Sequence, residues 1–174
     1  MSNKRILHDN GQGGLAIVIP APQYVQAMLK ANPGMTEAQV IEHIAQKDTP
    51  NGAAFEVVDV TDVPADRTFR DAWEHDTSPA PQKVRTNMVK AGEIAHGIRR
   101  ERRAEAFKPH DEAVTLVAGI AASGAVPPKA MKDAAVAAEA ARQAIRDADA
   151  ATQAEIDAAV LADDEAALRT ALGL

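Results

Sequence analysis

Residues 62–73 read Asp-Val-Pro-Ala-Asp-Arg-Thr-Phe-Arg-Asp-Ala-Trp and contain the only Trp of a chain that is 3% aromatic. Pro64 disfavours helix at the residue before it, so the chain should be extended where this stretch begins. Asp66 is a good N-cap residue, so we expect a short helix from the next residue to Trp73. In that helix Phe69 and Trp73 share one face. We therefore predict that the stretch closes the core of a first domain.

The stretch also carries charges at helical spacing. Arg70 follows Asp66 by four residues, and Arg67 precedes Asp71 by four, so the outer faces of the helix can hold ion pairs. Six residues are predicted to form a structural anchor: Pro64, Asp66, Arg67, Phe69, Arg70 and Trp73. The alternative is that Trp73 or the two arginines contact a partner protein.

The residues before this stretch predict a small sheet. Runs at 4–8 and 15–19 are β-prone and flank a Gly-rich turn, which is typical of a hairpin. Residues 55–60 form the clearest single strand. The Gly-rich turn lacks the Gly-Lys-Ser/Thr ending of a phosphate-binding loop, so we do not interpret it as one.

Two helices are predicted between the hairpin and the third strand. Pro22 suits the first turn of a helix that runs to Lys30. Thr36 and Gln39 form a capping box that opens the next helix, which ends near Lys47. We therefore expect an α+β fold for residues 1–76. A small, mainly antiparallel three-stranded sheet carries one or two helices on one face, and Phe69 and Trp73 lie over the same core.

The rest of the chain predicts a linker and an Ala-rich helical half. Residues 77–86 are polar and Pro-rich, which favours a linker, and residues 87–174 form the helical region. We expect Pro109 to end its first helix and Asp111 to cap the next. A long helix over 129–149 should then follow. The last two helices are predicted to begin at the capping box of Thr152 and at Asp163.

The stretch at 62–73 resembles a hallmark of small tailed-bacteriophage proteins from virion and tail-morphogenesis gene modules. Their shared feature is Asp-x-Pro-x-Asp-Arg-Thr-Phe-Arg-x-Ala-Trp after a β-strand, followed by a basic helix. Residues 90–103 look like that helix here, and the resemblance covers about residues 45–110. The resemblance implies that the protein belongs to such a gene module, and it does not imply a particular chemical activity.

The charge is distributed unevenly. The formal net charge is −6, yet residues 83–108 carry eight basic and three acidic side chains. Four arginines of the basic helix are candidates for binding a partner: Arg99, Arg100, Arg102 and Arg103. Three interpretations stay open for them. They form a solvated helix end, they contact an acidic protein surface in the same chain or another subunit, or they bind nucleic acid.

No pattern indicates catalysis. The chain has no Cys, its five His are scattered, and no metal-ligand spacing or nucleophile motif is present, so we expect no catalytic residues, no metal and no cofactor. His75 lies between two carboxylates, but we expect flexible flanks and no apolar surroundings there, so we do not assign it a site. No apolar run approaches the ~20 residues of a membrane span, and no secretory signal is evident.

The resemblance, the charge blocks and the Ala-rich helices together predict a non-enzymatic structural protein. We expect a minor virion component of the head, connector or tail module that acts through protein–protein contacts. Its partners would be other phage structural proteins, in a homo-oligomer or larger assembly. It would lie in the host cytoplasm during assembly and then in the virion. The alternative is a non-virion chaperone of tail or tail-fibre assembly, and a third hypothesis is a nucleic-acid-binding accessory protein, which the acidic pI disfavours.

Overall fold

The computed structural model describes residues 3–50, 53–77 and 83–174, and the chain divides into two units at the junction of Asn87 and Met88. The first unit is built on a sheet and the second is helical. This division confirms the predicted α+β class, with a small antiparallel sheet followed by a helical half. The boundary lies later in the chain than the predicted end of the first domain at residue 76.

The sheet of the first unit has three antiparallel strands. They are β1 (Lys4–Asp9), β2 (Leu15–Val18) and β3 (Phe55–Asp59), in the order β2-β1-β3. Ile6 lies opposite Val18 on one side and Val57 on the other, so these three side chains share a face. The next residue, Leu7, lies on the opposite face because side chains alternate along a strand. Both faces of this small sheet therefore present apolar side chains.

Helices α1 (Pro22–Ala31) and α2 (Glu37–Asp48) cover the Ile6 face. The predicted capping box opens α2. Thr36 Oγ1 accepts from the Gln39 amide at 3.3 Å, and the Thr36 amide donates to Gln39 Oε1 at 2.8 Å. The buried cluster on this side of the sheet comprises Ile6, Val25, Val40, Ile41, Ile44 and Ala45.

Trp73 covers the other face of the sheet, so its predicted place over the helix-covered core is wrong. The predicted helix over 67–73 is also wrong. Asp66 Oδ1 accepts from the Thr68 amide at 2.8 Å and from Thr68 Oγ1 at 2.7 Å, which makes a turn, and a short 3-10 turn follows at Arg70–Ala72. Trp73 then begins strand β4 (Trp73–His75) and is buried with Leu7.

Part of the predicted linker is a strand. Residues 84–86 form β5 (Val84–Thr86), which pairs antiparallel with β4 and sets Trp73 opposite Thr86. The linker prediction is therefore wrong for these three residues, and its Pro-rich part at 78–82 lies outside the described residues. Val84 is buried in the same cluster as Trp73, which explains why a short polar segment folds back over the sheet.

The second unit contains two long helices and one short one. They are α3 (Met88–Ala122), α4 (Lys129–Leu161) and α5 (Glu165–Ala171). The last helix is capped by Asp164 rather than by the predicted Asp163, because the Asp164 side chain accepts from the Ala167 amide at 2.9 Å. Asp163 instead takes a left-handed conformation with φ of 55° in the turn.

Two predicted helix ends are absent because the long helices are continuous. Pro109 lies inside α3, where the contacts of α3 with α4 outweigh its cost of about 3 kcal/mol. Arg142 Cζ of α4 lies 5.3 Å from the ring centre of Phe107, which precedes Pro109. Arg142 Nε lies 3.5 Å from Oδ1 of Asp111, which follows the proline. The same residue of α4 therefore contacts α3 before and after Pro109. Thr152 caps no helix, since its hydroxyl donates to the Ala148 carbonyl one turn earlier within α4.

Two glycines of α3 provide a matched test of helix packing. A Cβ at Gly92 would lie 2.6 Å from Cγ2 of Val160 in α4, whereas a Cβ at Gly97 would meet no atom within 4 Å. We expect Gly97→Ala to raise the free energy of unfolding by about 0.5–1 kcal/mol through helix propensity. Gly92→Ala should lower it by about 1–3 kcal/mol, because the β-branched Val160 cannot turn away easily. Urea denaturation of both variants measures this difference, and equal effects would contradict the close approach of α3 and α4.

Candidate functional site

The predicted anchor residues divide into a buried and an exposed group. Phe69 and Trp73 are 0% and 1% exposed, and Pro64 is partly buried. Asp66, Arg67 and Arg70 are exposed, and Asp66 forms the turn described above. The aromatic pair therefore lies in the interior, while the two arginines face solvent.

A polar cluster borders the Trp73 side of the sheet. Glu56 Oε2 lies 3.3 Å from His75 Nε2, and Glu56 Oε1 lies 3.2 Å from Lys83 Nζ. His75 is in β4 and its side chain is 8% exposed, so the flexible surroundings expected for it are wrong. Sequence reasoning missed Glu56 because it is 19 residues away in the chain. The arrangement is a His–carboxylate–Lys cluster, and none of its three members carries a hydroxyl or thiol group.

Two of the four candidate arginines contact a single carboxylate. In the second unit, Arg99 Nη1 donates to Asp149 Oδ2, and Arg103 Nη1 donates to the same oxygen at 2.9 Å. The Arg99 and Asp149 side chains are 10% and 9% exposed, so this ion pair is largely excluded from water. Asp149 thus links α4 to two successive turns of α3.

The other two arginines differ from this pair and from each other. Arg102 Nη1 donates to the carbonyl oxygen of Leu172, at the end of α5. Arg100 is exposed, on the side of α3 turned away from these contacts. The four arginines, predicted as one cluster, therefore form a group of three that contact other parts of the unit, and Arg100, which lies outside that group.

The group of three lines a groove in the second unit. We call it the arginine groove, and its volume is about 220 Å³. Asp149 is the residue of this site that sequence reasoning missed. It follows Ile145 by four residues and so continues the inward stripe of α4, and an acidic residue on an apolar stripe indicates a cationic partner. The groove is lined by Arg99, Arg102, Arg103, Ala106, Ile145, Ala148, Asp149, Thr152, Ala171 and Leu172.

The end of the α3–α4 pair that lies away from α5 is poorly covered. All the buried residues of α3 lie between Met88 and Ala95, and α4 has a single buried residue, Ala138, before Ile156. Residues 113–128 contain no Asp, Glu, Lys, Arg or His. We call residues 113–136 the distal hairpin. Its exposed large apolar side chains are Leu116, Val126, Met131 and Val136, with exposed fractions of 47%, 81%, 37% and 71%.

Comparisons with known proteins identify no relative. No protein-family model matches the sequence, and neither a curated protein nor a solved structure shows significant similarity to it. Within residues 3–50, 53–77 and 83–174, no group of three or more His, Cys, Asp or Glu side chains is placed to hold a metal ion. None of the described helices combines the length and hydropathy that a membrane span requires.

Asp149 should be important for the stability of the helical unit. We expect Asp149→Ala to lower the free energy of unfolding by about 2–4 kcal/mol, because it leaves the buried Arg99 without its carboxylate. Asp147→Ala is the control, since that side chain is exposed on the same helix and accepts from Gln143 at 2.8 Å. The control should change stability by less than about 0.5 kcal/mol. Equal denaturation curves for the two variants would show that the Arg99–Asp149 ion pair makes no measurable contribution to the free energy of unfolding.

Proposed function

We propose that this protein is a non-enzymatic structural component of a tailed-bacteriophage particle and acts through protein–protein contacts. The phage context comes from the resemblance of residues 62–73 to a family of small phage proteins. The observation that carries the interaction role is the distal hairpin, whose apolar side chains are exposed on two long helices. Such a surface is costly in water and is typical of helices that pack against another chain.

The size of this surface suits an assembly contact. α3 and α4 have 35 and 33 residues, so each is roughly 50 Å long at 1.5 Å per residue. Two helices side by side are about 20 Å wide, so a distal stretch of about 20 Å offers roughly 400 Å² in projection. That is about half of what one partner buries in a standard interface of about 800 Å². Contacts of this size are weak singly and become strong when many copies assemble.

The proposal as a whole is tested by mass spectrometry of purified phage particles. We expect the protein to be present at a fixed number of copies per particle and to stay bound after a high-salt wash, because apolar contacts are not screened by salt. If it is found in infected cells but not in particles, the virion role is wrong and the assembly-chaperone hypothesis takes its place.

The distal hairpin is tested by a pair of valine variants. Val136 in the distal hairpin and Val89 at the start of α3 are 71% and 67% exposed, so Asp at either site should change the free energy of unfolding by less than about 0.5 kcal/mol. We expect Val136→Asp to reduce incorporation into particles at least about tenfold, since a buried, unpaired charge in an interface costs several kcal/mol. Val89→Asp should incorporate normally. Equal incorporation of both variants would exclude the distal hairpin as the contact surface.

A further inference from the structure

The arginine groove has more positive than negative charge. Three guanidinium groups line it, and Asp149 supplies the one carboxylate. The hydrogen bonds that Arg99, Arg102 and Arg103 make with protein atoms all use Nη1. Arg99 Nε is buried and has no acceptor among the described residues. The groove therefore holds an excess of donors and of positive charge.

We propose that the arginine groove binds a carboxylate side chain from an acidic, partly apolar segment of a partner protein. The proposal rests on the proposed function, because it supplies the partner chemistry for one contact in the assembly. Arginine forks match the geometry of a carboxylate with two parallel hydrogen bonds, and Arg102 and Arg103 offer such forks from adjacent positions of α3. Binding a monoanion leaves the site with less excess charge.

The apolar half of the groove favours a protein segment over a phosphate. Ala106 of α3 and Ile145 of α4 lie beside the guanidinium groups, and Ala171 and Leu172 form the wall at the end of α5. The methylene groups of a Glu side chain and an apolar neighbour can contact these residues while the carboxylate meets the arginines. No aromatic side chain lines the groove, so it offers nothing for a nucleotide base to stack on. The nearby Asp149 carboxylate also disfavours a doubly charged phosphate.

Arg102 is the arginine of the groove that we expect to contact the partner's carboxylate most directly. Arg102 is exposed, and its Nη1 donates to the backbone carbonyl of Leu172 rather than to Asp149, so a ligand can reach this guanidinium group without breaking the Arg99–Asp149 pair. Arg100 is two residues away, exposed and on another side of α3. Arg100 and Arg102 carry the same charge and belong to the same helix, but only Arg102 lines the groove. Arg100 is therefore the matched control.

The experiment measures binding of a fluorescent peptide of alternating Glu and Leu to the full chain by anisotropy. We expect saturable binding, lost when Gln replaces Glu in the peptide. Arg102→Gln should weaken it about tenfold, the value of one charge-assisted hydrogen bond. Arg100→Gln should change it less than about twofold, because exposed charges act weakly through screened solvent. In the unaltered protein, the NMR signal of the Arg99 Nε–H should shift on peptide addition, which tests the groove without a substitution.

Several outcomes overturn the proposal. Equal weakening by the two arginine variants would show non-specific attraction, and binding of the Gln peptide would exclude recognition of a carboxylate. Displacement of the peptide by an equal concentration of inorganic phosphate, or tighter binding of a DNA oligonucleotide that depends on Arg102, would assign the groove to phosphate. If the peptide does not bind, the proposed carboxylate site in the groove is wrong and the proposed virion role is unaffected. If the protein is absent from particles, its proposed virion role is wrong.

Discussion

The antiparallel packing of α3 against α4 is the interaction on which the helical unit depends, and it is made with few large side chains. Near the start of α3 the helices approach closely because Gly92 leaves room for Val160. Farther along, ion pairs also join the two helices, since Asp149 binds two arginines of α3. A pair of helices joined in this way has no apolar layer thick enough to cover the large side chains at its distal end. The exposed apolar surface follows from the composition of the unit.

The first unit, in contrast, covers its apolar side chains. Its sheet is small, but both faces are covered, one by two helices and the other by the β4–β5 hairpin. The scarce aromatic residues are concentrated here, and Trp73 supplies the largest buried side chain. This unit therefore has a core of its own, while the helical unit leaves apolar side chains exposed. This difference between the two units is consistent with the proposal that the helical unit acts through protein–protein contacts.

Features set by neighbouring residues could be predicted from the sequence, and features set by distant residues could not. The three strands, α1 and the capping box at Thr36 depend on local patterns. The place of Trp73 depends on pairing with Thr86, and the continuity of α3 through Pro109 depends on contacts with α4. At the candidate site, the arginines were evident as a group. Their carboxylate, Asp149, lies 46 to 50 residues away, so only its position on the inward stripe pointed to it.

Site-specific photo-crosslinking in assembled particles tests the central claim most directly, namely that the distal hairpin packs against another protein chain. A photoreactive amino acid at position 136 should give crosslinks to a second polypeptide in the particle, and the same group at the exposed position 89 should give few. The reason is that the Val136 side chain is 71% exposed and belongs to the apolar surface of the distal hairpin. If position 136 yields no crosslink to another chain while the protein is present in the particle, the distal hairpin is not the contact and the account is wrong.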